Sequence, residues 1–397
     1  MAHNNRIALI LGIRPDVIRA SRIIKLLKAN KEVDFTFVWS GQHYSDNLKD
    51  IFFRELNVPP PDIELGAKGE TDAEIVASVI SKTYETLAKL DPAAAVFLGD
   101  TNTVVSCLAA AQLNIPIVHI EGCMRSYDWR MPEEKYRSTI DHLSDVIYAY
   151  FDEYKKQGVA EGLNPGNIVV TGNLIVDVLN DAYFQRLDEY KAIGSDSFFK
   201  ERGLERGNFY VMTCHRRENV ETPSSLKAIF DMVAAAPRTV YFLASYRTQK
   251  AIQRTGLAVP KNVRLVDPIG YKEMLCLMAN SCGVITDSGT VVEETCVLQV
   301  PSVQMRRSTE RPQVYDARSS VKFDPAEPQK YPAQAVFAKL EALRGNTWDH
   351  QLGDGKASER IVDDIVRRLK DGGLRRHEPS CYHLDISRSY RDDGIKI

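Results

Sequence analysis

The sequence predicts an α/β protein built from two Rossmann-like, doubly wound domains that face a cleft. Short apolar segments alternate with amphipathic helical stretches in both halves of the chain, and most of these segments are apolar along their whole length. Such segments are typical of parallel strands covered by helices on both faces. The length of 397 residues also exceeds what one ordinary core organises, and it favours two domains.

The first series of elements predicts a domain over residues 1–176. RIALIL is the first predicted strand, and a helix is expected from Asp16. The strand DFTFVWS is followed by the helix SDNLKDIFFREL, and the strand AAAVFLGD by the helix TVVSCLAAAQL. PIVHIEG, DVIYAYF and NIVVTGN are the remaining predicted strands of this sheet.

The second series predicts a domain over residues 177–361, after a helical connection at roughly 176–204. Its predicted strands are NFYVMTCH, TVYFLAS, NVRLVDP, GVITDS and PSVQMR, of which the last closes the series. The helices PSSLKAIFDMVAAA, YKEMLCLMANS and GTVVEETCVLQ lie between them. The Arg- and Asp-rich segment from about residue 371 has little periodicity, and we expect it to lie on the surface.

Charge and composition exclude several classes of protein. The formal net charge is -2, so the chain has no general attraction to nucleic acid or to an anionic membrane. No apolar run approaches the roughly 20 residues that span a bilayer, and the first residues do not resemble a signal peptide. The seven cysteines are scattered, without a C-x-x-C pair, which favours a reduced cytoplasm over a zinc site or a disulfide framework.

Ligands of open α/β sheets bind at the carboxyl ends of the strands, where this sequence places many polar residues. Those residues are Gly12, Arg14, Asp100, Thr101, His119, Glu121, His215, Arg216, Arg217, Asp287, Ser288, Gly289, Arg306 and Arg307. Arg14 comes just before a helix whose first turn contains Pro15, so the turn suits an anion. The alternative is that Arg14 pairs with a nearby carboxylate and that Gly12 only makes the turn.

The segment ITDSGTVVEE predicts a second anion site, because a strand leads through Ser-Gly-Thr into a helix. The Ser288 hydroxyl and the free N–H groups of Gly289 and Thr290 would face the anion. Glu293 and Glu294 follow at a spacing that suits the hydroxyls of a ribose. For one of these two glutamates, a solvated position on the helix is the expected alternative.

Carboxylates at the strand ends of the first half indicate acid–base chemistry. Asp100 and Glu121 end strands, and Glu133 and Glu134 follow in a predicted loop. Carboxylates close together repel, which would raise one pKa toward neutrality and make that group suitable for proton transfer. Each carboxylate alone could equally be a helix cap or a salt-bridge partner. His215 has two adjacent arginines, which favours an anion site over a core position.

Eight motifs together resemble the non-hydrolysing UDP-N-acetylglucosamine 2-epimerases. They are GIRPDVIRAS, GQHYSD, LGDTNT, HIEGCMRSYDWRMPEE, VTGN, CHRREN, TDSGTVVEE and MRRSTERP, and they cover roughly residues 6 to 370. The resemblance implies the two-domain fold of B-type glycosyltransferases, a UDP-sugar in the cleft, no metal, no nicotinamide cofactor and a homodimer. It also implies that the last helix and the tail, residues 362–397, return to the first domain.

The resemblance assigns roles to residues that match the family motifs. It implies catalysis by Asp100, Glu121, Glu133 and His215; binding of substrate by Arg14, Arg19, Ser288, Gly289, Thr290, Glu294 and Arg311; and, weakly, regulation by a second substrate molecule at Gln42, His43 and Arg216. Thr290 stands where a glycine is common, Gln313 replaces the usual glutamate, and Ser245 replaces a histidine of the regulatory site. The regulatory site is therefore matched at Gln42 and His43 but not at Ser245.

The implied activity is the interconversion of UDP-GlcNAc and UDP-ManNAc by elimination of UDP, which gives 2-acetamidoglucal, and re-addition. Four alternatives stay open: a C2 epimerase of another UDP-2-acetamido sugar, in 6-deoxy or uronic form; a hydrolysing 2-epimerase; a retaining B-type glycosyltransferase; and a non-catalytic nucleotide-sugar sensor. Several carboxylates beside His215 favour an epimerase over a transferase, which has little use for three of them.

Overall fold

The computed structural model describes residues 4–41 and 46–374. Its first sheet contains seven parallel strands in the order β3-β2-β1-β4-β5-β6-β7. These strands are β1 (Arg6–Leu11), β2 (Asp34–Trp39), β3 (Ile63–Glu64), β4 (Ala94–Leu98), β5 (Ile117–Ile120), β6 (Val146–Ala149) and β7 (Ile168–Val170). The strand order reverses between β1 and β4, so the carboxyl ends of these two strands flank a crevice in which ligands bind in such sheets.

Helices cover both faces of this sheet, and the predicted alternation is confirmed. They are α1 (Arg14–Ala29), α2 (Asp46–Glu55), α3 (Asp72–Leu90), α4 (Cys107–Gln112), α5 (Pro132–Leu143), α6 (Asp152–Ala160) and α7 (Leu174–Ala182). Two local predictions are wrong. Helix α1 begins at Arg14 and not at Asp16, because Pro15 fits the first turn of a helix. Glu133 and Glu134 lie in the first turn of α5 and not in a loop.

The second sheet contains six parallel strands in the order β10-β9-β8-β11-β12-β13. These are β8 (Phe209–Thr213), β9 (Thr239–Leu243), β10 (Val263–Val266), β11 (Gly283–Thr286), β12 (Ser302–Met305) and β13 (Ser320–Phe323). The prediction that the strand of PSVQMR closes the series is wrong, because β13 follows it. The short SVKF segment of β13 alternates between partly buried and buried residues. Two parallel sheets with helices on their faces confirm the predicted fold class.

The remaining helices connect and cover the second sheet. They are α8 (Leu187–Ile193), α9 (Asp196–Glu201), α10 (Arg217–Val220), α11 (Pro223–Ala234), α12 (Tyr246–Thr255), α13 (Tyr271–Ala279), α14 (Gly289–Val297), α15 (Gln313–Asp316), α16 (Ala333–Leu343) and α17 (Ala357–Lys370). No helix of the described residues is long and apolar enough to cross a bilayer.

The last described helix, α17, packs against α1 of the first sheet. Asp177 of α7 accepts hydrogen bonds from the backbone N–H groups of Ala357 and Ser358 (3.3 and 2.8 Å), which caps the start of α17. Tyr148 donates to Asp364 at 2.9 Å, and Arg22 binds Glu359. These contacts place α17 on the first half of the chain. The exact boundaries at residues 176 and 361 stay predictions, and residues 375–397 lie outside the described part.

Candidate functional site

Glu121 lies at the centre of a buried group of charges at the carboxyl end of β5. Its side chain is fully buried, and its backbone has a φ of 71°, a left-handed conformation that is uncommon for residues other than glycine. One carboxylate oxygen accepts from Arg137 (3.3 Å) and Arg311 (3.0 Å). The other accepts from Arg19 and from the hydroxyl of Tyr150 (2.9 Å). Three arginines therefore surround one carboxylate.

Arg137 joins Glu121 to Asp100. The same Nη2 atom of Arg137 that reaches Glu121 lies 2.7 Å from Oδ2 of Asp100, and the side chain of Asp100 is mostly buried. Arg137 is one turn of α5 after Glu133, on the same face of the helix. The structure thus brings the predicted residues Asp100 and Glu121 together through an arginine that the sequence analysis did not single out.

The predicted rise in one pKa applies to Glu133 and not to Glu121. Burial raises the pKa of Glu133, Asp100 raises it further, and Arg216 opposes the shift. Burial also acts to raise the pKa of Glu121, but Arg19, Arg311 and Arg137 together outweigh it and lower the pKa to about 2. Proximity of carboxylates alone was an incomplete criterion, because buried arginines from other elements decide the sign.

His119 supports the backbone on both sides of this group. Its Nε2 lies 2.8 Å from the carbonyl oxygen of Gly99, directly before Asp100, and its Nδ1 lies 2.7 Å from Asp141. The other oxygen of Asp141 accepts from the backbone N–H of Cys123 at 3.0 Å, just after Glu121. A buried histidine and aspartate therefore fix the two strand ends that carry Asp100 and Glu121.

The carboxylate of Asp287 organises the turn that carries His215. It accepts hydrogen bonds from the backbone N–H groups of His215 (3.0 Å) and Arg216 (2.9 Å) and from the side chain of Asn219 (3.1 Å). Nδ1 of His215 lies 3.4 Å from Asp287, and 48% of the His215 side chain is exposed. The expectation that His215 is not a core histidine is consistent with this exposure. Its ring can contact a ligand in the cleft.

The segment after β11 forms the predicted turn into α14. Ser288 caps the helix, because its hydroxyl accepts from the backbone N–H of Val291 at 3.4 Å. A Cβ atom at Gly289 would lie 2.5 Å from Nη1 of Arg311, far inside van der Waals contact. The guanidinium of Arg311 therefore lies directly against the first turn of α14, and only glycine leaves room for it. Thr290 follows in the same turn.

Both glutamates of α14 are buried, so the alternative of a solvated residue is wrong for each of them. Glu293 accepts from the amide of Asn173 (2.7 Å) and pairs with Nε of Arg311 (3.1 Å). Glu294 accepts from the hydroxyl of Tyr271 at 2.7 Å. Burial raises the pKa of Glu294 to about 8, and Glu293 adds to the shift.

Two further predicted residues, Arg14 and Arg19, lie in α1, which follows β1. The guanidinium of Arg14 lies over the ring of Phe52, 4.9 Å from its centroid. Arg19 is buried and pairs with Asp16 at 2.8 Å as well as with Glu121. A Cβ atom at Gly12 would overlap the side chain of Thr103, so this glycine is required by the close approach of another segment. Binding of an anion by Arg14 and Arg19 stays a prediction.

Arg216 is largely buried and lies 3.7 Å from Glu310, beside the catalytic candidates. The weak regulatory role that the resemblance implied for Arg216 stays a prediction, and the charge of Arg216 acts to lower the pKa of Glu133. Gln42 and His43 lie outside the described residues. Ser245 caps α12, and its hydroxyl accepts from the backbone N–H of Thr248 at 3.2 Å.

Several residues of the site were missed by the sequence analysis. They are Arg137, Tyr150, Asn173, Tyr271 and Glu310. Glu310 pairs with Arg306 (2.8 Å) and with Arg311, and its backbone carbonyl accepts from Tyr154 (2.7 Å). The spacing of Glu133 and Arg137 on one helix was a signal for Arg137, whereas the other contacts join elements distant in sequence.

A family model described as UDP-N-acetylglucosamine 2-epimerase matches residues 25–366 of this chain. The chain belongs to this epimerase family. Its similarity to single members extends over almost their whole length. A UDP-N-acetylglucosamine 2-epimerase of Methanocaldococcus jannaschii is 33% identical, over 90% of this chain and 98% of the relative.

Two further epimerases are informative. The crystal structure of the M. jannaschii UDP-GlcNAc 2-epimerase in complex with UDP-GlcNAc and UDP superposes with a TM-score of 0.82 and 31% identity, covering 91% of this chain and 99% of that one. A UDP-2,3-diacetamido-2,3-dideoxy-D-glucuronate 2-epimerase of Pseudomonas aeruginosa is 31% identical, over 91% of this chain and 99% of the relative. The chain is thus an isomerase by family, as the resemblance implied.

Proposed function

We propose that this epimerase interconverts UDP-GlcNAc and UDP-ManNAc without hydrolysis. The observation that carries the proposal is the buried group in which Arg137 joins Asp100 to Glu121, and Arg311 contacts both Glu121 and the first turn of α14. Epimerisation of a sugar nucleotide needs both kinds of group: carboxylates that transfer the proton at C2 of the sugar, and cations that bind the diphosphate. The M. jannaschii relative binds UDP-GlcNAc and UDP, which supports this substrate.

The proposed chemistry removes and returns one proton at C2 of the sugar. In the first half, a carboxylate takes the C2 proton, the C1=C2 double bond forms, and the C1–O bond breaks with its electron pair leaving on the UDP oxygen. In the second half, UDP adds back to C1 and a second carboxylic acid delivers a proton to the opposite face of C2. Asp100 and Glu133 are the proposed pair, because burial and Asp100 raise the pKa of Glu133.

The remaining predicted residues are proposed to hold the nucleotide. Arg14, Arg19 and Arg311, with Ser288, Gly289 and Thr290 at the start of α14, would hold the diphosphate while it is detached from the sugar. His215, oriented by Asp287, would stabilise the departing phosphate oxygen. Glu294 would bind the ribose hydroxyls. We propose no metal or nicotinamide for this chemistry, and activity that survives EDTA would support that point.

The decisive experiment is proton NMR of the purified protein with UDP-GlcNAc in deuterated water. We expect deuterium at C2 and a mixture of the two epimers, with no free UDP accumulating. Asp100→Asn is expected to lower the exchange by at least about 100-fold, which is the lower range of the contribution of a general acid or base. The absence of C2 label with every UDP-2-acetamido sugar tested would refute the proposal. Free UDP in a one-to-one ratio with free sugar would identify a hydrolysing enzyme.

A second candidate is C2 epimerisation of another UDP-2-acetamido sugar. The 31% identity to an enzyme named for a diacetamido glucuronate substrate favours it. The segment between β5 and α5 also carries Tyr127 and Trp129 with exposed side chains, and Arg130, which pairs with Asp128 at 2.5 Å. The same NMR assay with 6-deoxy and uronic UDP-2-acetamido sugars distinguishes the candidates, since the true substrate gives the highest kcat/KM.

We further propose a homodimer in the cytoplasm. Tyr84 of α3 and Leu108 of α4 are each more than 40% exposed, and these two helices pack against each other, so their outer face is suited to a second copy. The six described cysteines are buried and unpaired, which supports a reducing compartment. Light scattering coupled to size exclusion tests the first point, and a monomer at micromolar concentration would contradict it.

A further inference from the structure

The carboxylate of Glu121 has no free position at which to exchange a proton with a substrate. A carboxylate has about four lone-pair sites on its two oxygens. Here Arg137 and Arg311 occupy one oxygen, at 3.3 and 3.0 Å, and Arg19 and Tyr150 occupy the other. The side chain has no exposed surface. A group that carries a proton to or from carbon must present an oxygen to that carbon.

Several contacts fix the backbone at Glu121. The left-handed φ of 71° is unfavourable for a residue other than glycine and persists only where surrounding contacts fix it. The backbone N–H of Glu121 donates to the carbonyl of Tyr148 at 3.0 Å. At Gly122, an added Cβ would lie 2.3 Å from Ile147 and 2.7 Å from Asp141. The turn is therefore held from several sides.

Each arginine that Glu121 binds also reaches another part of the site. Arg137 contacts Asp100 with the same Nη2 atom. Arg311 belongs to the second half of the chain and lies against Gly289 at the start of α14. Arg19 lies close to Gly99, where an added Cβ would be 3.0 Å from its Nη2. Glu121 therefore holds both Arg137, which contacts Asp100, and Arg311, which lies against the start of α14.

We propose that Glu121 is a positioning residue of the epimerase and not one of its proton carriers. Resting on the proposed function, this leaves Asp100 and Glu133 as the two groups that exchange hydrogen with C2. Glu121 acts through Arg137, which orients Asp100, and through Arg311, which places a cation beside the departing diphosphate. The resemblance to the family had assigned all three carboxylates to catalysis without separating their roles.

The dependence of kcat on pH tests this assignment in the wild type and three variants. Loss of a proton carrier removes one limb of the pH profile, whereas loss of a positioning residue lowers the plateau and leaves both limbs. We expect Glu133→Gln to remove a limb. We expect Glu121→Gln to keep both limbs at unchanged pH values and to lower the plateau by on the order of 100-fold, the effect of a misplaced catalytic group.

Tyr150→Phe is the milder variant, because it removes one donor to Glu121 and changes no charge. If Glu121 titrated during catalysis, loss of a hydrogen bond to its charged form would move one limb upward by about 1–2 pH units. We expect no limb to move. This variant decides the question if Glu121→Gln does not fold, and circular dichroism identifies that case.

The outcomes separate the inference from the proposed function. A lost limb in Glu121→Gln, or a limb that moves in Tyr150→Phe, would overturn the assignment while the wild type still exchanges hydrogen at C2. Retained limbs in both variants would support it. A wild type that labels no UDP-2-acetamido sugar would refute the proposed function itself, and the inference with it.

Discussion

Gly289→Ala tests whether Arg311 and the start of α14 form one anion site. Gly289 has no left-handed backbone, so alanine is acceptable there except for the space that its methyl group needs. That methyl carbon would lie 2.5 Å from Nη1 and 2.7 Å from Cζ of Arg311. The guanidinium must therefore retreat by about 1 Å to restore ordinary contact at roughly 3.5 Å.

The displacement is expected to weaken both the fold and the binding of UDP. Arg311 contacts Glu121 at 3.0 Å and Glu293 at 3.1 Å, and its retreat loosens at least one charge-assisted contact, worth about 1.5–3 kcal/mol. Loss of a similar contact between Arg311 and a phosphate oxygen would lower the affinity for UDP by roughly 10–100-fold.

Isothermal titration calorimetry with UDP measures the affinity, and a thermal scan measures the stability. Gly373→Ala is the matched control, because the nearest atoms that its methyl group would meet among the described residues are carbon atoms of Arg368 at 3.8–3.9 Å, an ordinary contact distance. We expect the control to bind UDP like the wild type. Unchanged UDP affinity in Gly289→Ala, in a protein that is folded, would show that Arg311 does not contribute to the anion site.

Two further predictions concern stability. Burial raises the pKa of Glu294 to about 8, whereas this side chain in the unfolded chain loses its proton near pH 4.3. The folded protein therefore binds one more proton between these two pH values. The stability that the protonated Glu294 contributes is fully present below about pH 4 and is lost as the pH rises to about 8. Glutamine cannot ionise, so Glu294→Gln should melt at a higher temperature than the wild type, by a margin that grows from pH 5 to pH 8. A margin that does not grow with pH would contradict the raised pKa of Glu294. Asp177→Ala removes the cap of α17 and should lower the free energy of unfolding by about 1 kcal/mol, or about 2–4 °C in melting temperature, with UDP affinity unchanged. Weaker UDP binding in that variant would show that α17 acts on the site.

The arginines of the site explain why so many carboxylates can be buried together. Four largely buried carboxylates of the site contact a guanidinium: Asp100 contacts Arg137, Glu121 and Glu293 contact Arg311, and Glu310 contacts Arg306 at 2.8 Å. Burial of unpaired charges would cost several kcal/mol each, so the pairing is a condition of the fold. A substrate diphosphate that enters the site would share these arginines with the carboxylates.

The sequence by itself determined the fold class, the strand ends that carry the site, and the family. These features are local, because a buried parallel strand, a glycine turn and the start of a helix each depend on about five to ten adjacent residues. The positions of Asp100, Glu121 and Ser288 at carboxyl ends of strands followed from this pattern alone.

Only the tertiary structure decided which charges meet. Arg19, Arg311 and Arg137 lie 102, 190 and 16 positions away from Glu121 in the sequence. Their charges lower the pKa of Glu121, whereas the expected rise falls on Glu133. The burial of Glu293 and Glu294 likewise depends on Asn173 and Tyr271, which other segments bring to α14. The sign of an electrostatic effect depends on distances in space and on exclusion of water, and neither is encoded in the spacing along a chain.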